Sequence, residues 1–321
     1  MTEAHRSADA DVPRCVADAD SAARELRTLR DLLRWAVARF EASGIAYGHG
    51  TDNARDEAVS LCLHALHLPA DTLEPWLDAR LTQGERAAVA AWIERRIATR
   101  LPAPYLTGVA WLRGLRFHCD ARALVPRSLI AEALEEALPE WVGLHRPAGL
   151  APAGVLDLCT GGGSLAIIAA HLFPDARIVG ADLSVDALAL ARSNARLHGM
   201  DERIEWIASD LFAELASERF SLIVCNPPYV HEASMQRLPP EFRHEPHDAL
   251  AGGVDGMDLI RRILAEARAH LTEDGLLLLE IGHEAEHFER AFPTLEYHYL
   301  PAAAGECMLV LVEAAHLPPA R

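Results

Sequence analysis

Several absences narrow the field before any motif is considered. No window of the 321 residues reaches the ~18 consecutive apolar residues of a membrane helix. Residues 1–20 carry acidic side chains where a secretory signal would have an apolar core. A cytoplasmic protein with no membrane partner is therefore expected. The six cysteines, Cys15, Cys62, Cys119, Cys159, Cys225 and Cys307, contain no Cys-x-x-Cys pair, so neither a zinc framework nor a disulfide scaffold is indicated. Sixteen histidines are spread over the chain, and His49, His244 and His247 read as chance neighbours, so no metal is expected. Positive charge is scarce: 30 Lys and Arg face 47 Asp and Glu, a net of −17. That balance opposes direct binding of duplex DNA through phosphate neutralisation. It would attract a basic protein partner, and it serves solubility equally well.

What is present centres on Ser-Leu-Ile-Val-Cys-Asn-Pro-Pro-Tyr-Val, residues 221–230. Leu222 to Cys225 form an apolar run of strand formers, and the two prolines that follow cannot continue a ladder. The strand must stop at Asn226. Each residue before a proline is pushed out of the helical region, so Asn226 and Pro227 stay extended and present their acceptors off the strand end. A planar NH2 group suits this arrangement: one hydrogen meets the Asn226 side-chain oxygen, the other the Pro227 carbonyl, and its plane lies against Tyr229. A bare Asn-Pro would read as a proline turn; Asn226-Pro227-Pro228-Tyr229 after an apolar run is more specific.

Before this stretch, the chain changes character several times. Residues 1–23 lack helical periodicity and are expected to be a disordered tail. Leu26, Leu29, Leu33, Val37 and Phe40 recur at helical spacing up to Gly44. A second helix is expected over 54–66 and a third over 82–100, with Thr82 as N-cap and Glu85 at the capping-box position. Residues 24–100 thus form a small helical domain. Residues 101–125 alternate in short stretches, as a β-hairpin linker would. Ser128 is placed to cap a helix over 129–138.

From Gly154 strands and helices alternate, the pattern of a parallel sheet with crossover helices, closed by an antiparallel pair at 295–300 and 308–313. The loop Cys159-Thr160-Gly161-Gly162-Gly163-Ser164 leaves the first strand, and its glycines allow close approach of a ligand. Asp182 closes the second strand, where a carboxylate could accept from both ribose hydroxyls; capping the helix that opens at Ser184 is its alternative role. A nicotinamide dinucleotide would fit these features too. Asp157, near the end of the first strand, and Asp210, after the third, favour S-adenosyl-L-methionine, since Asp210 could accept from an adenine amino group.

In this order, the Gly-rich loop, Asp182, Asp210 and Asn226-Pro227-Pro228-Tyr229 resemble the glutamine methyltransferases that modify translation proteins. Pro104-Tyr105-Leu106-Thr107-Gly108, Val125-Pro126-Arg127 and Glu245-Pro246 extend the resemblance, which covers residues 26–313. One branch of that family modifies release factors; the other modifies the third protein of the large ribosomal subunit. Residues 32–35, 47–53, 110–111, 125–128 and 242–246 are similar to the second. The resemblance implies a Rossmann-like class I methyltransferase domain over 126–321 behind a substrate-recognition domain. Asp157, Cys159, Thr160, Gly161, Gly162, Gly163, Asp182, Asp210, Leu211 and Asn226 would line S-adenosyl-L-methionine. Asn226, Pro227, Pro228 and Tyr229 would hold the glutamine, with Arg127 and Glu245 on the substrate side. Gly162 stands where many relatives have Ser or Thr, and Cys159 replaces a glycine common in wider methyltransferases. The implied partner is a basic ribosomal protein, free or within a ribosome-assembly intermediate. Rival readings are an adenine-amino methyltransferase acting on a flipped base, for which no basic groove is evident, and a non-catalytic assembly factor on the same fold. The loop over 243–256 that follows the clamp is a candidate substrate-facing lid.

Overall fold

A computed structural model describes residues 16–146, 149, 151–215 and 218–319. The chain divides into two compact units, residues 1–103 and 104–321.

The first unit is helical: α1 (Ala19–Glu25), α2 (Leu29–Ser43), α3 (Ala54–Ala65) and α4 (Gln83–Thr99). Most of the expected tail, residues 1–15, lies outside the described residues. Residues 19–23, expected to be disordered, instead form most of α1, capped by the Asp18 side chain on the Ser21 N–H. Burial of Ala22 and the bond from Trp35 Nε1 to the Ala17 carbonyl, 2.8 Å, hold this segment in place. Its mean polarity hid one small residue that packs.

Thr28 caps α2 through a capping box with Asp31, and Thr82 caps α4 through one with Glu85. Leu29, Leu32, Trp35, Ala36 and Phe40 form the buried stripe of α2. In the same core Arg96 and Glu57 are an ion pair with side chains 0 % and 1 % exposed, Nε to Oε1 2.7 Å. Arg96 also donates to the Ala46 carbonyl and Thr51 donates to Glu57, so the pair fastens the loop between α2 and α3.

A short helix, α5 (Ala103–Thr107), begins where the division falls, and a two-stranded hairpin follows: β1 (Val109–Leu112) and β2 (Leu115–His118). Arg113 and Gly114, both at positive φ, make its turn. The hairpin packs as part of the second unit rather than as a linker: the Asn194 carboxamide accepts from the His118 N–H at 2.7 Å and donates to the Gly162 carbonyl at 2.9 Å. The helix expected over 129–138 is two helices, α6 (Ile130–Glu135) and α7 (Ala137–His145). Pro139 explains the break, because its ring clashes with the carbonyl four residues back, at Glu135.

The remaining elements are β3 (Gly154–Leu158), α8 (Ser164–Leu172), β4 (Arg177–Asp182), α9 (Val185–Leu197), β5 (Ile204–Ala208), β6 (Phe220–Cys225), α10 (Glu232–Met235), α11 (Asp258–Glu266), β7 (Leu271–Glu280), α12 (Ala285–Ala291), β8 (His298–Ala302) and β9 (Gly305–Glu313). The strands form one seven-stranded sheet in the order β5-β4-β3-β6-β7-β9-β8. The first five are mutually parallel, and β9 runs antiparallel to β7 and β8. This is the expected doubly wound class, with the closing pair set a few residues from the expected positions. Period-two alternation splits each strand between two cores. Val155, Leu222, Val224, Leu276 and Leu278 join α6 to α9, while Leu156, Ile223, Cys225, Leu277 and Leu279 join α11 and α12. With both faces covered, the central stretches Leu222–Cys225 of β6 and Leu276–Leu279 of β7 are continuously apolar.

Candidate active site

The strand order reverses about β3, and at such a point the carboxyl ends of neighbouring strands open into a crevice. The ends of β3, β4, β5 and β6 bound one cavity there of about 590 Å³, within the size range of small-molecule sites.

The loop after β3 is shaped by three residues at positive φ: Cys159 at 60°, Gly161 at 56° and Gly163 at 81°. Cys159, Thr160, Gly161 and Gly162 line the cavity. Gly163 does not. A Cβ there would stand 2.7 Å from the Trp206 ring and 2.8 Å from Ala191, so this glycine is needed for packing of the loop against β5 and α9. Asp157 also departs from its expected ligand contact. It is buried behind the loop, where its Oδ2 accepts from the Thr160 hydroxyl at 2.5 Å and from the Ala166 N–H at 2.9 Å. Burial pushes its carboxyl up to about 7. Asp157 supports the loop; it does not line the cavity.

Asp182 does line it. One of its oxygens accepts from the Gly161 N–H and the other from the Ser184 N–H, each at 2.8 Å. Each oxygen keeps a further lone pair. Burial raises this carboxyl above its ordinary range. Capping of α9 falls to Ser184, whose hydroxyl accepts from the Ala187 N–H, so Asp182 orders the loop as well as facing the cavity. Asp210 and Leu211 form the opposite wall. Leu211 has φ 52°, a conformation fixed by Ser209, whose hydroxyl donates to the Leu211 carbonyl at 2.7 Å and accepts from the Glu214 N–H. Asp210 Oδ1 accepts from Arg262 at 3.0 Å.

Asn226, Pro227, Pro228 and Tyr229 follow β6 directly into the same cavity. Among the described residues no side chain hydrogen-bonds the Asn226 carboxamide. Tyr229 is held at its hydroxyl, at its ring and at its backbone. Its hydroxyl donates to Glu280 Oε1 at 3.2 Å, a Cβ on Gly282 would come within 2.5 Å of its ring, and a Cβ on Gly252 would come within 2.7 Å of its Cα. Burial and the Glu280 carboxylate push its phenol well above the ordinary range. Beyond the ring, the Val230 N–H donates to the Leu250 carbonyl and the Val230 carbonyl accepts from the Gly252 N–H, each at 2.9 Å, which ties Val230 to the loop that lines the cavity.

Arg127 and Glu245 meet each other. The guanidinium grips the carboxylate with two bonds, 2.5 and 2.8 Å, and Glu245 Oε1 also accepts from the Val125 N–H. The Glu245 side chain is 0 % exposed. It is a fastener of the loop after the clamp and not the substrate contact expected of it, because its carboxylate is spent on protein donors. Arg127 lines the cavity, with its guanidinium 5.8 Å from the Phe242 ring centroid.

Sequence reading missed Glu280. It interrupts an otherwise apolar run, Leu276 to Ile281, and a lone carboxylate there was the available signal. Elsewhere His231, Glu284 and His287 place ligand-type atoms within 4.8 Å of one another. Those nitrogens already have partners: His287 Nδ1 meets Glu284 at 2.6 Å and His231 Nε2 meets the Ser234 hydroxyl at 3.0 Å.

A glycine-bearing loop that lets a ligand reach its backbone, a carboxylate with two open lone pairs and a cavity of ligand size are the features a nucleosyl amino acid needs, so the residues present fit S-adenosylmethionine. Fold and site together define a class I S-adenosylmethionine-dependent methyltransferase. Residues 145–253 match the methyltransferase small domain model, and residues 31–108 match the PrmC N-terminal domain model. The ribosomal protein uL3 glutamine methyltransferase of Bordetella pertussis is 53% identical over 92% of this chain and 97% of its own length. The proteins of the same name from Burkholderia pseudomallei and Neisseria gonorrhoeae are 51% and 46% identical, covering 91% and 93% of this chain and 96% and 98% of theirs. The chain belongs to the family of ribosomal protein uL3 glutamine methyltransferases.

Proposed function

We propose that this enzyme methylates the side-chain amide nitrogen of one glutamine in ribosomal protein uL3, with Asn226 and the Pro227 carbonyl as acceptors of the two amide hydrogens and Tyr229 as the wall against its plane. One observation carries the assignment: the Asn226 to Tyr229 segment and the Gly161–Asp182 pair bound a single cavity. Cys159 to Gly162, Asp182, Asp210 and Leu211 would hold S-adenosylmethionine, which when bound supplies an electrophilic methyl carbon on a sulfonium.

An amide nitrogen is a weak nucleophile because its lone pair is delocalised into the carbonyl. Acceptors that fix both N–H bonds oppose that delocalisation and aim the lone pair, a gain that comes from orientation and preorganised electrostatics. Asn226 needs no basic side chain beside it, since a nitrogen that has gained a methyl group becomes acidic and can release its proton through the Asn226 oxygen or water. Replacing Asn226 with Ala should lower the methylation rate on the order of a hundredfold, the scale of losing one preorganised hydrogen-bonding group, while cofactor affinity changes little. Unchanged turnover would overturn the assignment.

The helical region over 24–100 is assigned to recognition of the protein substrate, free or in an assembling ribosome, in the cytoplasm. The deciding experiment follows label from S-adenosylmethionine to purified uL3 and to a release factor, each with a glutamine-substituted control. Label on uL3 that disappears in its control supports the proposal. Label on the release factor alone overturns the substrate, and label on neither overturns the chemistry.

A further inference from the structure

Glu280 has no role in the reaction as derived so far, yet it occupies a demanding position. It is the last residue of β7 and is 5 % exposed. The parallel register pairs Cys225 of β6 with Leu279 of β7, so Glu280 stands level with Asn226 on the neighbouring strand. Its side chain belongs to the wall of the cavity. A carboxylate placed there is costly unless its lone pairs are satisfied.

Three donors satisfy it. Oε2 accepts from the Ser128 hydroxyl at 2.6 Å and from the Leu129 N–H at 3.0 Å. Oε1 accepts from the Tyr229 hydroxyl at 3.2 Å. The Ser128 hydroxyl in turn accepts from the Ile130 N–H at 3.2 Å, so the first turn of α6 fixes the carboxylate's orientation. Each group in this chain has its donor or acceptor role set by the next. Glu280 is therefore oriented from behind by α6 and has one oxygen left to hold Tyr229.

The Tyr229 ring needs that hold. Gly282 leaves no room for a Cβ on one side and Gly252 packs its backbone, which together restrict where the ring can go but not how it is pitched. The hydroxyl bond removes that last freedom. We infer that Glu280 is a positioning residue for methyl transfer: through the Tyr229 hydroxyl it sets the pitch of the aromatic wall against which the planar acceptor amide lies. Glu280 itself touches neither methyl group nor cofactor in this assignment. The inference rests on the amide-clamp reading of residues 226–229 and adds what holds that clamp in shape.

The test is a double-mutant cycle on the full-length enzyme with Glu280→Gln, Tyr229→Phe and the pair together. Gln keeps the shape of Glu and can still accept from Ser128 and Leu129, but its NH2 faces Tyr229, so the hydroxyl must turn to accept and a charge-assisted bond at 3.2 Å becomes a weaker neutral one. Phe keeps the ring and removes the hydroxyl. Initial rates on the protein substrate give kcat and KM, and calorimetry gives the cofactor Kd.

Glu280→Gln should lower kcat/KM for the protein substrate about tenfold, corresponding to about 1.4 kcal/mol. Tyr229→Phe should cost a similar factor, and the double variant should lie within about twofold of Tyr229→Phe alone, because the second change has nothing left to act through. Cofactor Kd should stay within about twofold of wild type. Multiplicative losses, a parallel loss of cofactor affinity, or no effect of Glu280→Gln would each overturn the inference. Should Glu280→Gln fail to fold, Ser128→Ala replaces it in the cycle; it removes the shortest of the three bonds and must also lose its effect in the Tyr229→Phe background. The wild-type rate on uL3 tests the clamp chemistry itself, and only the ratios among variants test Glu280.

Discussion

Asp157 holds a carboxyl in surroundings that oppose its charge. Folding places its carboxyl in the protein interior and raises it from 3.8 to about 7. Below about pH 4 the group is neutral in both folded and unfolded chains, and its contribution to stability is complete. As pH rises towards about 7 the unfolded chain ionises first, so the contribution is lost across that window. Asp157→Asn has no proton to lose. Thermal melts at about pH 5.5 and about pH 7.5 should show the wild type losing ground to the variant at the higher value; an unchanged gap would mean that the carboxyl is not raised. At this scale the sequence was legible wherever partners are neighbours in the chain. Asn226 to Tyr229 could be read directly because proline stiffness acts on adjacent residues. Glu280 and Ser128 lie 152 positions apart, and their bond exists only because the sheet delivers β7 beside α6.

Among the elements, the helical unit offers the sharpest test. The Arg96–Glu57 pair joins α4 to α3 with almost no access to water, and removing one partner leaves the other charge buried alone. Arg96→Met should cost roughly 3–5 kcal/mol in denaturant unfolding, and the double variant Arg96→Met with Glu57→Leu should recover most of it. If the single variant costs no more than an exposed pair would, below about 1 kcal/mol, the pair contributes little. Helix starts with a capping signature, such as Thr82 and Glu85, were readable from the sequence because the cap is a local hydrogen-bond exchange. The helix expected over 129–138 stops short of Pro139, whereas Pro139 stands in the first turn of α7 and the break falls before it, at Glu136. The start of α1 was hidden for another reason: Ala22 is its one buried residue, and a single alanine makes no periodic pattern.

Over the whole molecule, the alternation of strands and helices announced the doubly wound sheet, since parallel strands need crossovers whatever their sequence. The roles of Arg127 and Glu245 were not legible, because a paired and an unpaired charge look the same in a sequence. The net of −17 makes a further prediction for a basic protein substrate. Raising salt from about 0.1 M to about 1 M shortens the Debye length from about 10 Å to about 3 Å, so KM for the protein should rise severalfold while cofactor Kd moves little. A KM indifferent to salt would assign the acidity to solubility alone. The fastening of the loop after the clamp matters on an evolutionary timescale. That segment is tied by Arg127–Glu245 at one point and by the backbone bonds of Val230 to Leu250 and Gly252 at another. Exposed residues between the two ties, Gln236 and Arg237 among them, can change charge without touching Asn226 or Tyr229. Such exposed positions are where related chains can diverge first, while the clamp beneath them is inherited intact.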